Sequence, residues 1–296
     1  MKEQLKFILA GGDMRQVHLA AFLAADGHHV TVAAIDDLPP AEGVNVYEGL
    51  PRLRDADCVL LPLPVTGEDG QIHTPLSKTS VSPDAVFSAL RPGQTVIAGK
   101  IPPELFEKAA LRGVRLYDYL EREELAVLNA VPTVEGAIQI ACEETAATLW
   151  RSKVLVIGYG RIGKLLARLL RAFGAEVTVS ARKPADFAWI KAEGYESVHT
   201  GALEGSLRDF DVVFNTVPHM VLTTRRLSEL KRGALVIDLA SKPGGVDFAA
   251  AQTLGVNTVW ALSLPGKVAP LTAAGIIRDT IYHILNEQEE GSDGEN

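Results

Sequence analysis

Residues 154–163, VLVIGYGRIG, constrain this chain more than any other stretch. VLVIG (154–158) reads as a short apolar strand, and the turn that follows has the spacing Gly158-Tyr159-Gly160-Arg161-Ile162-Gly163. Beyond it, Ile162, Leu165, Leu166, Leu169, Leu170 and Phe173 recur at helical spacing. A GxGxxG turn between a strand and a helix has a physical purpose. Gly158 permits the tight turn, Gly160 lets a pyrophosphate approach the backbone, and Gly163 lets the helix lie close to the strand. The helix N-terminus then stabilises the negative charge. The stretch predicts a dinucleotide site whose phosphate turn comprises Gly158, Tyr159, Gly160, Arg161, Ile162 and Gly163.

The identity of the dinucleotide is read at the end of the next strand, VTVS (177–180). A carboxylate there accepts hydrogen bonds from the ribose of NAD. This chain has Ser180-Ala181-Arg182-Lys183 instead. A hydroxyl and two cations suit a 2′-phosphate, so Ser180, Arg182 and Lys183 point to NADP.

The first half of the chain repeats the rhythm. LKFILA (5–10), a GGD turn, a helical segment from Gln16 to Ala25 and VTVAAI (30–35) form another β-turn-α-β unit. Further apolar runs at 58–63, 95–99, 212–216, 235–240 and 258–262 read as strands. Strands alternating with helices indicate α/β architecture. The expectation is two doubly wound parallel-sheet, Rossmann-like domains with a cleft between them: 1–130 for substrate or partner, 131–270 for NADP. Pro132 biases the residue before it away from helix, so Thr133 is expected to cap a helix running to about Trp150. A last helix, 271–286, either packs back on the first domain or finishes the second. Residues 287–296, acidic and without an apolar side chain, read as a disordered tail.

Charge narrows the partners. Lys plus Arg number 29 against 37 Asp plus Glu, and five of the acidic residues fall in the last ten positions. No basic stripe is present to neutralise a row of phosphates, which argues against a nucleic-acid partner. No uninterrupted apolar run of about 18 residues suggests a membrane span. The N-terminus reads as a first strand and not as a signal peptide. Cys58 and Cys142 have neither disulfide-framework nor metal spacing, no other cluster suggests a metal, and no GxSxG element suggests a serine nucleophile. A reducing cytoplasm is the expected home.

Several segments taken together resemble the A subunits of the dipicolinate synthases: LAGGDMRQ (9–16), LPLP (61–64), NAVPTVEGAIQIACEET (129–145), VIGYGRIG (156–163), FNTVP (214–218), ASKPGG (240–245) and LPGKVAP (264–270). The resemblance spans residues 1 to about 286. It implies a sporulating bacterium, with the protein in the mother-cell cytoplasm. It also implies a heteromeric enzyme with a flavoprotein-like B subunit, and formation of dipicolinate from a dihydrodipicolinate-type precursor with NADP. More distantly the layout is similar to 2-hydroxyacid dehydrogenases and alanine dehydrogenase. The chain departs from the hydroxyacid dehydrogenase pattern where Ser241 and Lys242 replace an arginine. It departs again where Gly266 and Lys267 follow Pro265 in place of a histidine.

Oxidising a dihydropyridine ring to an aromatic one removes a hydride and a proton, and no hydroxyl needs deprotonating. Positioning is then the main task. Lys267, His219 and Lys242 are the candidate catalytic groups, with His73 as a further proton acceptor. Asn215, Thr216, Val217 and Pro218 are expected to wall the coenzyme. Arg15, Thr133, Ser241 and Gly244, with Lys242 and Lys267, are candidate holders of the substrate carboxylates, and Lys100, which ends the strand at TVIAGK, is a further candidate to face the cleft. Asp36 stands at a ribose-like distance from the GGD turn, so a second nucleotide site is an alternative use of that turn. Two other functions stay open: a non-catalytic NADP-binding component supporting its partner, and a 2-hydroxy or amino acid dehydrogenase. The sequence also leaves homo-oligomer formation open.

Overall fold

A computed structural model describes residues 4–36, 41–47, 49 and 52–293. The chain divides into two compact units, Met1–Leu128 with Ala269–Asn296, and Asn129–Val268. In each, six strands form one sheet with every pairing parallel.

In the first unit the strands are β1 (Lys6–Ala10), β2 (His29–Ala33), β3 (Val44–Tyr47), β4 (Cys58–Leu60), β5 (Thr95–Ala98) and β6 (Arg115–Asp118), in the spatial order β3-β2-β1-β4-β5-β6. Helices α1 (Met14–Ala25), α2 (Pro83–Ser88) and α3 (Pro103–Leu111) follow β1, β4 and β5 in sequence. Strand periodicity divides the core between the two sheet faces. On β1, Phe7 and Leu9 join one cluster with Leu19, Leu23, Val30 and Val32, while Ile8 and Ala10 join another with Val59, Leu61, Phe87 and Val96.

The second unit repeats the plan with β7 (Lys153–Ile157), β8 (Glu176–Ala181), β9 (Glu196–His199), β10 (Val212–Asn215), β11 (Leu235–Asp238) and β12 (Asn257–Trp260), ordered β12-β11-β10-β7-β8-β9. Its strand order reverses between β7 and β10, where doubly wound sheets hold their ligands. Val154 and Val156 pack on one face with Leu166 and Leu170, Leu155 and Ile157 on the other with Leu203 and Val213.

Helix α4 (Glu123–Glu144) begins well before the expected cap at Thr133 and carries the chain from the first unit into the second. Pro132 lies inside it, buried, and Thr133 caps nothing: its hydroxyl donates to the Asn129 carbonyl at 2.8 Å, within the helix. Proline removes one intrahelical donor. Leu125, buried in the first unit's core, and Val134, Ala137, Ile138 and Ala141, buried in the second's, hold the helix on both sides of it. The helix also stops at Glu144, short of the expected Trp150. By length and composition alone α4 could cross a membrane (22 residues, mean hydropathy 1.4), yet these buried positions are those of a core helix. Four shorter helices, α5 (Arg161–Ala172), α6 (Pro184–Ala192), α7 (Thr224–Leu227) and α8 (Phe248–Leu254), and the five-residue α9 (Leu264–Val268), complete the second unit.

The final helix, α10 (Pro270–Asp293), belongs to the first unit. Ala274, Ile277, Ile281 and Ile284 enter the core shared with α1. It also runs through most of the stretch expected to be disordered. Glu287 accepts from Arg122 Nη1 at 2.7 Å, and Gln288 Oε1 accepts from the Thr95 hydroxyl at 3.1 Å. Those contacts, with glutamate and glutamine as good helix formers, extend the helix. Residues 294–296 of the expected tail lie outside the described residues.

Candidate functional site at the strand ends of the second unit

The predicted turn leaves β7 at its carboxyl end. Gly158 takes φ +99°, and its N–H donates to the Ser180 carbonyl at 2.9 Å. A Cβ on Gly158 would stand 2.4 Å from Thr216 Oγ1, and one on Gly163 would stand 2.1 Å from the Gly158 carbonyl oxygen. Gly160 differs: nothing lies within 4 Å of where its Cβ would be. Gly158 and Gly163 are therefore required by the fold, whereas Gly160 keeps open space at the start of α5, as an approaching pyrophosphate needs.

The neighbouring side chains divide differently from expectation. Tyr159 turns its ring into the core, only 5 % exposed, where burial pushes its phenol pKa up. Ile162 packs against the same core. Neither side chain faces the open turn; both anchor it. Arg161 is exposed as the first residue of α5.

Ser180 is a correction. Its hydroxyl is fully buried and hydrogen-bonds the Thr200 hydroxyl at 2.6 Å, because position 180 falls on the inward side of β8. It is spent inside the fold. Arg182 and Lys183, just past the strand, are exposed, and among the described residues neither pairs with a carboxylate.

Past β10, Asn215 is buried and braces the loop. Its Nδ2 donates to the Val217 carbonyl at 3.0 Å and to Asp238 Oδ1 at 2.7 Å, while its Oδ1 accepts from the Val217 N–H at 3.2 Å. The Thr216 hydroxyl donates to the Ile157 carbonyl at 2.9 Å, tying β10's end to β7's. Thus Asn215 braces this loop from behind, while Val217 is half-buried and Pro218 exposed. His219 is exposed beside them.

Past β11, Ser241 and Lys242 are exposed, and Gly244 is buried at φ +82° with its N–H given to the Ser241 carbonyl at 2.8 Å. Gly244 therefore shapes this turn and offers no backbone donor to a carboxylate. Asp238, which sequence reading missed, ends β11 fully buried. Only its position at the end of an apolar strand signalled it.

Thr133 on α4 and Lys267, exposed on α9, lie outside this hydrogen-bonded group. On the same two helices Gly136 lets Leu264 and Val268 approach α4; a Cβ there would be 3.1 Å from Val268.

In the first unit the equivalent turn is closed by the chain itself. The Gly12 N–H donates to the His73 carbonyl at 2.8 Å, and a Cβ on Gly11 would meet Thr74 Cγ2 at 2.9 Å. Asp36, the candidate ribose ligand, accepts from the Ser77 hydroxyl at 2.8 Å and the Lys78 N–H at 2.7 Å. A second nucleotide site is overturned, because residues 72–78 occupy it. Arg15 is buried at 7 % exposure; its guanidinium grips Asp13 through Nε (3.0 Å) and Nη2 (2.8 Å) and also reaches the Leu63 carbonyl. It serves the turn in place of the substrate. His73 lines a cavity of about 460 Å³ with Asp69, Ser77 and Lys78. Lys100 is exposed, its N–H bonded to Asp118.

The chain is 35 % identical over 97 % of its length to the A subunit of dipicolinate synthase from Bacillus subtilis, covering 98 % of that protein. It belongs to the family of dipicolinate synthase A subunits. Residues 6–120 match the family's N-terminal domain, and 133–247 match the NAD-binding domain of D-isomer-specific 2-hydroxyacid dehydrogenases. Crystal structures of family members from Bacillus halodurans (TM-score 0.88, 95 % of this chain and 97 % of that one) and Bacillus subtilis (TM-score 0.86, 97 % of each) are both 33 % identical to it. The second unit thus carries a nicotinamide-dinucleotide-binding domain of dehydrogenase type.

Proposed function

We propose that this protein is the NADP-dependent oxidoreductase component that converts a dihydrodipicolinate-type cyclic dicarboxylate to dipicolinate. Its setting is the cytoplasm of a sporulating cell, in complex with a flavoprotein-like B subunit. Family membership supports the reaction class and the presence of a partner subunit. The observation that carries the coenzyme reading is the pairing of an open glycine turn with two exposed cations, Arg182 and Lys183, at the end of the adjacent strand. A 2′-phosphate finds charge complementarity there and no carboxylate to repel it.

NADP held at the turn Gly158–Gly163 and by Arg182 and Lys183 would supply the hydride acceptor. The chain's own residues do the rest. Val217 and Pro218 give the coenzyme a wall, held by Asn215 and Thr216. Lys242, Ser241 and Lys267 are exposed groups with the charge or polarity to hold carboxylates. The ring proton passes to His219, leaving the two lysines as the charged carboxylate holders. Because the product is aromatic, a weak base in good position suffices.

The test is to follow NADPH absorbance with freshly generated dihydrodipicolinate, using the purified protein with and without the B subunit. Turnover that depends on NADP supports the proposal. Coenzyme binding without turnover under any pairing would class the protein as a non-catalytic component. Turnover with simple hydroxy acids instead would class it as a hydroxyacid dehydrogenase.

A further inference from the structure

Asp238 is a fully buried carboxylate whose known neighbours are all neutral donors. Oδ1 accepts from Asn215 Nδ2 at 2.7 Å and from the Ala240 N–H at 3.0 Å; Oδ2 accepts from the Gly245 N–H at 2.8 Å. Both oxygens only accept, as in the ionised form. Among the described residues no cation pairs with it. Buried charges normally have such a partner, so this one asks for an explanation.

Its bonds join two loops separated by 23 residues. A Cβ on Gly245 would stand 2.3 Å from Asn215 Nδ2, 2.6 Å from the Val217 carbonyl oxygen and 2.8 Å from that of His219. The Gly245 carbonyl in turn accepts from the Val221 and Leu222 N–H groups at 2.9 and 2.8 Å. The loop after β10 and the loop after β11 are therefore one rigid surface with a negative charge beneath it. In a doubly wound sheet that surface faces the nicotinamide half of the coenzyme. The oxidised nicotinamide is a cation and the reduced one is neutral.

We propose that Asp238 is the positioning residue of the coenzyme wall, joining the two loops and biasing the site toward the oxidised coenzyme. The inference rests on the dinucleotide reading of this unit and adds to it an electrostatic preference between redox forms. A single buried charge acts on a nearby cation through a low effective dielectric, so its effect is felt without direct contact.

The experiment is calorimetric titration of the full-length protein, unaltered and as three variants, with NADP⁺ and NADPH separately, beside thermal unfolding. Asp238→Asn keeps the shape and removes the charge; it should weaken NADP⁺ about threefold or more relative to NADPH. Asn215→Ser leaves the charge and removes a donor that partly neutralises it, so it should move the ratio the other way. Gly245→Ala forces the loops apart and should weaken both forms equally. Equal losses of both forms in Asp238→Asn reduce Asp238 to a structural residue and overturn the proposal. If that variant does not fold, an unmoved ratio in Asn215→Ser overturns it. No binding of either form by the unaltered protein overturns the coenzyme reading and this proposal together, so the two failures are distinguishable.

Discussion

The carbonyl oxygen of Gly158 stands 2.1 Å from the point where a Cβ on Gly163 would sit, so helix α5 rests directly on the turn that precedes it. Backbone cannot yield as a flexible side chain can. Gly163→Ala should therefore cost about 1–3 kcal/mol of stability through overpacking and shift the turn, with coenzyme affinity falling as a consequence.

Gly160→Ala should behave in the opposite way. Its backbone, at φ −83° and ψ −160°, suits any residue, and no atom lies within 4 Å of the added methyl. Unfolding should stay within about 0.5 kcal/mol of the unaltered protein. Coenzyme affinity should nonetheless fall about tenfold, since the methyl enters the approach path of the phosphates. Thermal melts and calorimetry on the two variants separate these effects; a destabilised Gly160→Ala with unchanged affinity would count against the phosphate assignment.

Replacing Arg182 and Lys183 together with alanine removes two exposed cations that make no ion pair with described residues. NADP affinity should fall by about two orders of magnitude, the loss of two charge-assisted contacts, while NAD affinity stays within about threefold. Fluorescence titration with both coenzymes reads this directly. Equal losses reject the 2′-phosphate assignment.

Ile281 on α10 is fully buried in the core that α10 shares with α1. Ile281→Ala should cost about 2–5 kcal/mol. The cost should appear in urea unfolding followed by near-ultraviolet signals of the first unit, where Tyr282 and Tyr119 report. Coenzyme affinity of the second unit should be unaffected by this change.

Stability should also depend on pH through His28. Its ring lies between Phe7 (5.2 Å) and Tyr282 (5.7 Å), and Nδ1 accepts the Leu5 N–H at 3.2 Å. Burial pushes its pKa below the ordinary 6.5, with Asp26 opposing the shift. Tyr282 donates its hydroxyl to Asp26, and Arg278 approaches the same carboxylate, so Asp26 is largely occupied. The native ring is neutral, and unfolding lets it take up a proton. The contribution of His28 is thus complete above pH 6.5 and is lost as the pH falls through that value toward the lower native one. Urea midpoints at pH 7.5 and 5 should differ more in the unaltered protein than in His28→Gln, whose amide oxygen can still accept from Leu5. An unchanged difference would remove His28 from the account.

The central strands β1, β4, β5, β7, β10 and β11 are legible as apolar runs because helices cover both faces of each sheet. Of the four edge strands only β12 is legible; β3 (VNVY), β6 (RLYD) and β9 (ESVH) are not, since their side chains are mostly exposed or half-buried and carry no continuous apolar signal. The glycine turn was equally plain. Only Gly163 has a local steric reason, the Gly158 carbonyl; Gly158 is crowded by Thr216, 58 positions on, and Gly160 by nothing within 4 Å. Pro132 misled because a local rule about proline was outweighed by burial on both sides of it.

Sequence by itself determined the repeated parallel α/β plan, the dinucleotide turn and the cations after β8, because each is written in neighbouring residues. Tertiary structure alone decided that Ser180 bonds Thr200, that Arg15 is held by Asp13 and Leu63, that residues 72–78 fill the first unit's turn, and that Asp238 meets Asn215 and Gly245. Each of these depends on which way a side chain faces once strands are in register or on contacts between distant loops. Packing fixes those relations, and local spacing carries no record of them.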